Sequence, residues 1–205
     1  MKQMQPWYWR SLPLENRTGS AVFAALFDPD SNPDAIATLL ESPYSTLQKQ
    51  CLRRASPTQL ARYSICAGAP RIVDRVAQLW TPPVGEILPF LQQLLQVASG
   101  SSPLVSPDPP VPFTGGWLGW LGYDLAWEIE QLPHLKKDTL PFPVAYWYEP
   151  ECFAVLDHWE QILWLAASDP SQLEQLQSRL DKEAGGAEVA GEAGGEKPLT
   201  IYHSL

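Results

Sequence analysis

The sequence predicts an α+β protein built mainly from antiparallel, strongly twisted sheet with helices on its outside. Three observations carry that expectation. Short strand-like runs are cut apart by 21 prolines, which punctuate the chain rather than forming a low-complexity tract. The run from Pro112 to Leu125 threads glycines at 115, 116, 119 and 122 through large apolar residues, and glycine in such a run marks a bulge, a bend or a close backbone approach. Two segments, 84–98 and the one opening at Pro170, carry leucines at helical spacing.

Taken in order, residues 7–12 and 22–27 have strand-like content, separated by the polar turn at 15–19. Residues 34–42 are ambiguous, since Ile36, Leu39 and Leu40 suit one face of a helix. Residues 43–59 show no period and carry Arg53 and Arg54, as a solvated loop does. Residues 62–68 and 72–80 each read as a strand before the Thr81-Pro82-Pro83 break. The spacing of Ile87, Leu91, Leu94, Leu95 and Ala98 predicts an amphipathic helix over 84–98, with Glu86, Gln92, Gln93 and Gln96 on its polar face. Prolines then forbid a regular ladder over 99–111.

The glycine-threaded run reads as a tightly packed internal strand. Residues 124–132 follow as a short helix, with Asp124 a candidate N-cap and Pro133 its end. Residues 145–148, 152–157 and 161–167 read as three strands, the last two a hairpin across His158-Trp159-Glu160. Asp169-Pro170 opens a helix continued by Leu173, Leu176 and Leu180. Beyond Asp181 the chain turns to Gly, Ala and Glu, too little apolar surface to offset the entropy of ordering. The expected organisation is a domain over 1–180, an acidic linker over 181–197 and the start of a further, missing domain at 198–205.

Composition narrows the function classes. A net charge of −9 argues against nucleic-acid binding, which needs a basic footprint. No window approaches a membrane span, and residues 1–7 lack the apolar core of a secretory signal, so no membrane partner and a cytoplasmic location are expected. Cys51, Cys66 and Cys152 fit neither a disulfide framework nor a metal knuckle, and the three histidines share no metal-binding spacing. Of the nine tryptophans, at least Trp117, Trp120, Trp147 and Trp164 should face apolar partners. The paired carboxylates Glu128/Glu130 and Glu149/Glu151 do not require catalysis, and no phosphate loop or nucleophile elbow is present.

The run Pro112-Phe113 through Gly115-Gly116, Gly119 and Gly122-Tyr123-Asp124-Leu125 resembles a signature in the amino-terminal half of the anthranilate synthase and aminodeoxychorismate (para-aminobenzoate) synthase component I family. The resemblance continues through Glu130-Gln-Leu-Pro133, Leu140-Pro141 and Val155-Leu-Asp-His158. Upstream it takes in Leu39-Leu-Glu-Ser42 and Ala61-Arg-Tyr-Ser-Ile65, covering residues 7–180 in all. It implies a strand running into Glu41-Ser42, and orthogonally packed sheets left incomplete without a C-terminal chorismate-binding domain.

The family's chorismate site, its Mg2+-binding glutamates and its acid/base residues belong to that absent domain. No catalytic residue and no metal ligand is therefore expected in this chain, and Mg2+ is implied only for the complete enzyme. The implied partners are the chorismate-binding domain, in the same or a separate chain, and a glutamine amidotransferase subunit. Tryptophan is the implied small ligand, contacted by Ser42, Leu60, Ala61, Arg62 and Tyr63, with Glu41 the candidate for its ammonium group. The other reading of Ser42 and Arg62 is that they bond neighbouring strands. The form of the glycine run and the segment after Ser42 favour the aminodeoxychorismate branch, which serves folate synthesis. The alternatives are the anthranilate branch, which serves tryptophan synthesis, and a stand-alone regulatory module or truncated product.

Overall fold

The computed structural model describes residues 7–27, 35–41, 62–99, 109–133 and 142–187. It is an α+β fold in four layers. The central sheet has five antiparallel strands in the order β1-β10-β9-β3-β2, formed by Tyr8–Pro13, Ile162–Ala167, Cys152–Asp157, Tyr63–Ala67 and Thr38–Glu41. A three-stranded antiparallel sheet, β6 (Leu79–Trp80), β8 (Ala145–Tyr148) and β7 (Leu118–Leu121), lies over one of its faces.

The alternation along the strands explains the layering. On β9, Ala154 and Leu156 point to one core and Phe153 and Val155 to another, and all four are fully buried. The first core is closed by α1 (Gly19–Phe27) and a C-terminal helix, Pro170–Ala187, through Val22, Leu26, Leu173, Leu176 and Leu180. The second is closed by Leu118 and Tyr148 of the smaller sheet, with Phe153 at its centre. The Phe153 ring meets Trp7, Trp9 and Phe113 edge-on at 4.8, 5.4 and 4.8 Å between centroids, the geometry the aromatic quadrupole favours. Helix α2 (Ile87–Ser99) covers the outer face of the small sheet, where Phe90 stacks on Trp80.

Most expected elements are present, including the strand into Glu41, the β9–β10 hairpin and the helix expected over 84–98, which runs from Ile87 to Ser99. Residues 22–27 are helix, not strand. Gly19, Val22 and Leu26 are buried on one face, Phe23 and Phe27 pair one turn apart, and Thr18 Oγ1 accepts the Ala21 N–H. Residues 72–80 are not one strand. Asp74 and Arg75 both take positive φ, folding β4 (Ile72–Val73) back on β5 (Val76–Ala77) before β6 begins.

The glycine run is strand only over 118–121, and β7 sits at the end of its sheet rather than inside it. Gly115 and Gly116 form the preceding turn at positive φ. Close approach does occur at Gly119, where a Cβ would stand 1.8 Å from the Tyr146 carbonyl oxygen. Of the four tryptophans, Trp120 stacks on Tyr146 yet stays nearly half exposed.

After a 3-10 turn at Tyr123–Leu125, α3 (Ala126–Ile129) forms without a side-chain cap, so Asp124 does not serve as one. The C-terminal helix, α4, continues to Ala187, past the expected start of the linker. The loop expected over 43–59, the linker beyond 187 and Cys51 lie outside the described residues.

Candidate functional site

Three sequence motifs meet at one end of the central sheet. Because β2 pairs with β3 and β3 with β9, Glu41 stands opposite Ser64, and Tyr63 opposite Asp157. The strand interiors are apolar, and their ends carry Glu41, Arg62, Ser64, Asp157 and His158. Polar groups buried there need partners, and each finds one.

On the helix side, Ser64 is fully buried, with its Oγ 2.7 Å from His158 Nε2 and 3.3 Å from Glu41 Oε1. Glu41 Oε1 also accepts the backbone N–H of Gly19 at 2.7 Å, placing a carboxylate at the N-terminus of α1. Serine has one hydroxyl proton, and an ionised carboxylate only accepts. With the Ser64 hydroxyl donating to Glu41, its oxygen is left to accept from His158 when Nε2 carries the proton. Glu41, Ser64 and His158 thus form one hydrogen-bonded chain. It ties β2, β3, the β9–β10 turn and α1 together.

On the opposite face, Arg62 grips Asp157. Its Nε lies 3.0 Å from both carboxylate oxygens, and Nη2 lies 2.6 Å from Oδ2. Asp157 Oδ1 also accepts the N–H groups of Trp159 and Glu160 at 3.0 and 3.1 Å, closing the hairpin turn. Burial raises the Asp157 pKa, but Arg62 and the two N–H donors outweigh it and hold the carboxyl below its ordinary value. The hydrogen bond to Asp157 raises the pKa of Arg62. The guanidinium lies 4.9 Å from the Tyr63 ring centroid and 5.4 Å from that of Trp159, so two aromatic faces border the ion pair. Burial, reinforced by the Asp157 charge, raises the Tyr63 pKa.

Of the residues singled out from the sequence, Arg62 and Tyr63 sit together at the start of β3, with Glu41 one strand away on the other face. Ser42, Leu60 and Ala61 lie outside the described residues. Sequence reasoning passed over the partners, Ser64, Asp157 and His158. Their signal was present: Asp157-His158 closes one family-like motif and Ser64 stands inside another.

The chain is similar to known proteins. Over 182 residues, 88% of this chain, it is 50% identical to the anthranilate synthase component I-like protein of Synechocystis. It is 46% identical over 70 residues to anthranilate synthase component 1 of Thermus thermophilus, and 43% identical over 53 residues to aminodeoxychorismate synthase component 1 of Bacillus subtilis. The chain belongs to the N-terminal domain of that component I family.

No protein-family profile matches the chain. It spans about a third of the Synechocystis relative, 34% of its length, and 15% and 11% of the other two are matched. Among the described residues no group of three His, Cys, Asp or Glu side chains could hold a metal ion. No described helix is long and apolar enough to cross a membrane.

Proposed function

We propose that this chain is the non-catalytic N-terminal domain of a chorismate-utilising component I, packing against a chorismate-binding domain carried by the rest of that subunit. The observation that carries the reading is the 50% identity running over 88% of the chain. The Glu41–Ser64–His158 chain agrees with it, because its contacts join strands β2 and β3, the β9–β10 turn and α1 into one structural unit. In this reading the complete subunit receives ammonia from a glutamine amidotransferase and aminates chorismate, with Mg2+ bound outside the present residues.

Between the branches, the glycine run and the segment after Ser42 favour 4-amino-4-deoxychorismate as product, for folate synthesis. The second reading, anthranilate with release of pyruvate, is supported by the names of the Synechocystis and Thermus relatives. Chromatography of the products formed by the intact subunit from chorismate, ammonium and Mg2+ separates the two. If neither product forms, the reading fails.

The proposal extends to tryptophan, contacted by Ser42, Leu60, Ala61, Arg62 and Tyr63. With Arg62 committed to Asp157, its part is to hold Tyr63 and the hairpin in position. A ligand of this kind needs a closed apolar slot as well as polar contacts, and the rest of the subunit would complete it. The isolated chain therefore binds tryptophan weakly or not at all. Calorimetry showing micromolar binding to the 205-residue chain would overturn that expectation.

A further inference from the structure

We propose that Glu128 is a conformational latch, which fastens the segment 123–130 to α2 and whose release frees that segment while leaving both sheets intact. The inference concerns this chain by itself and stands apart from the component I reading. The segment is weakly anchored otherwise. No residue over 122–133 is buried, and Tyr123 and Ile129 are 91% and 67% exposed. The last main-chain bond to the small sheet is that of the Gly122 N–H to the Val144 carbonyl, at 2.6 Å. Beyond it, main-chain hydrogen bonds between described residues stay inside the segment, from Leu125 to Gly122 and from Glu130 to Ala126. The Trp127 indole N–H also turns inward, to the Leu132 carbonyl. Helix α3 is a single turn with no side-chain cap, too short to persist on its own hydrogen bonds. Segments with few buried contacts are the first to open.

Glu128 supplies the fastening. Its Oε1 accepts the N–H groups of Gly85 and Ile87, and its Oε2 accepts that of Leu88. Both oxygens are thus engaged with the positive end of a 13-residue helix, and bonds to an ionised carboxylate are the stronger kind. Helix α2 has anchors of its own. Ile87 is wholly buried, and Phe90 stacks on Trp80 and meets Trp117 edge-on at 5.7 Å. Of the two elements that Glu128 joins, one is held by the core and the other is not. Loss of the contact therefore moves 123–130 and leaves α2 in place. The latch decides where the exposed Tyr123 and Ile129 stand on the surface. Glu130, two residues on, is an exposed carboxylate on the same segment and serves as the control.

The test is amide hydrogen exchange on the 205-residue chain, followed over 85–88, 123–130 and the sheet strand 145–148. Wild type is compared with Glu128→Gln, Glu128→Ala and Glu130→Gln. Glu128→Ala should speed exchange over 123–130 by about tenfold or more, as loss of charge-assisted hydrogen bonds does, and leave 145–148 at the wild-type rate. Glu128→Gln keeps one acceptor oxygen and should fall between, and Glu130→Gln should match wild type.

Faster exchange confined to 85–88 would make Glu128 a helix cap and no latch, and would overturn the inference. Unchanged exchange over 123–130 in both Glu128 variants would overturn it as well. So would equal acceleration over 145–148, which would place Glu128 in the general stability of the fold. Should Glu128→Ala fold poorly, Glu128→Gln carries the same comparison, and a Gln variant that also loses the sheet would refute the latch.

Discussion

Replacing Gly119 by alanine tests the closest backbone approach at any described glycine. The added Cβ would stand 1.8 Å from the carbonyl oxygen of Tyr146 and 2.7 Å from its carbonyl carbon. A carbon and a carbonyl oxygen ordinarily meet at roughly 3.3 Å or more, so β7 and β8 must part locally by about 1.5 Å. The obstructing atoms are backbone, and no rotamer change can relieve them. Gly119 also lies in mid-register, opposite Trp147 and between the Leu118–Tyr148 and Trp120–Tyr146 pairs, so displacement strains the whole short ladder. Overpacking costs about 1–3 kcal/mol, and each loosened ladder hydrogen bond adds roughly 0.5–1.5 kcal/mol, for an expected loss of about 3 kcal/mol.

At roughly 2–4 °C per kcal/mol for a chain of this size, the melting temperature of Gly119→Ala should fall by about 6–12 °C in a calorimetric scan. Gly116→Ala separates crowding from conformation. Its Cβ would meet nothing within 4 Å, but φ is +103°, so only backbone strain is added, about 1–2 kcal/mol. A Gly119→Ala protein melting within about 2 °C of wild type would refute the close-approach account. So would a Gly116→Ala protein that is the less stable of the two.

Asp157→Asn should destabilise by about 2 kcal/mol, below the range for a fully buried pair because the Arg62 side chain is 27% exposed against 6% for Asp157. The Asp157 carboxyl is held below its ordinary value, so its stabilisation is present above about pH 4 and is lost as pH falls through the lower folded value. Wild type and variant should therefore converge in acid, and a gap that widens there would contradict the assignment.

Glu128 accepts the N–H groups of Gly85, Ile87 and Leu88 at 2.5, 2.9 and 2.9 Å, capping α2 from α3. Burial raises its pKa, but the three donors together lower it. Glu128→Gln should cost about 1 kcal/mol near neutrality, vanish as a difference in acid, and speed amide exchange over 85–88. Unchanged exchange would remove Glu128 as the cap. Burial pushes the thiols of Cys66 and Cys152 up to about 12, so in a Cys51→Ser background neither should react with a disulfide reagent at pH 8 until the chain unfolds. Rapid labelling of the native protein would show that these thiols are not sequestered.

What could be read before folding followed from local rules. The strands over 145–148, 152–157 and 162–167 are apolar runs bounded by polar turns, and α2 and α4 repeat leucines every three or four residues. The motif set also identified the family. The misreadings arose where local content was neutral. Residues 22–27 are as apolar as a strand, and only the packing of α1 against α4 and the central sheet selects the helix. Residues 72–80 were divided by two consecutive positive-φ residues, Asp74 and Arg75, an uncommon conformation that their identities did not announce.

The sequence by itself determined the fold class, the family and the apolar periodicity, because these depend on residues close together in the chain. Only the tertiary structure decided what the polar residues do. Arg62 and Asp157 are 95 residues apart, Ser64 and His158 are 94 apart, and Glu128 caps a helix that begins 41 residues upstream. Partners at that separation are chosen by strand order and register, and Coulomb and hydrogen-bond terms act on the distances that result. The same register turned Gly119 from a permissive residue into a required one.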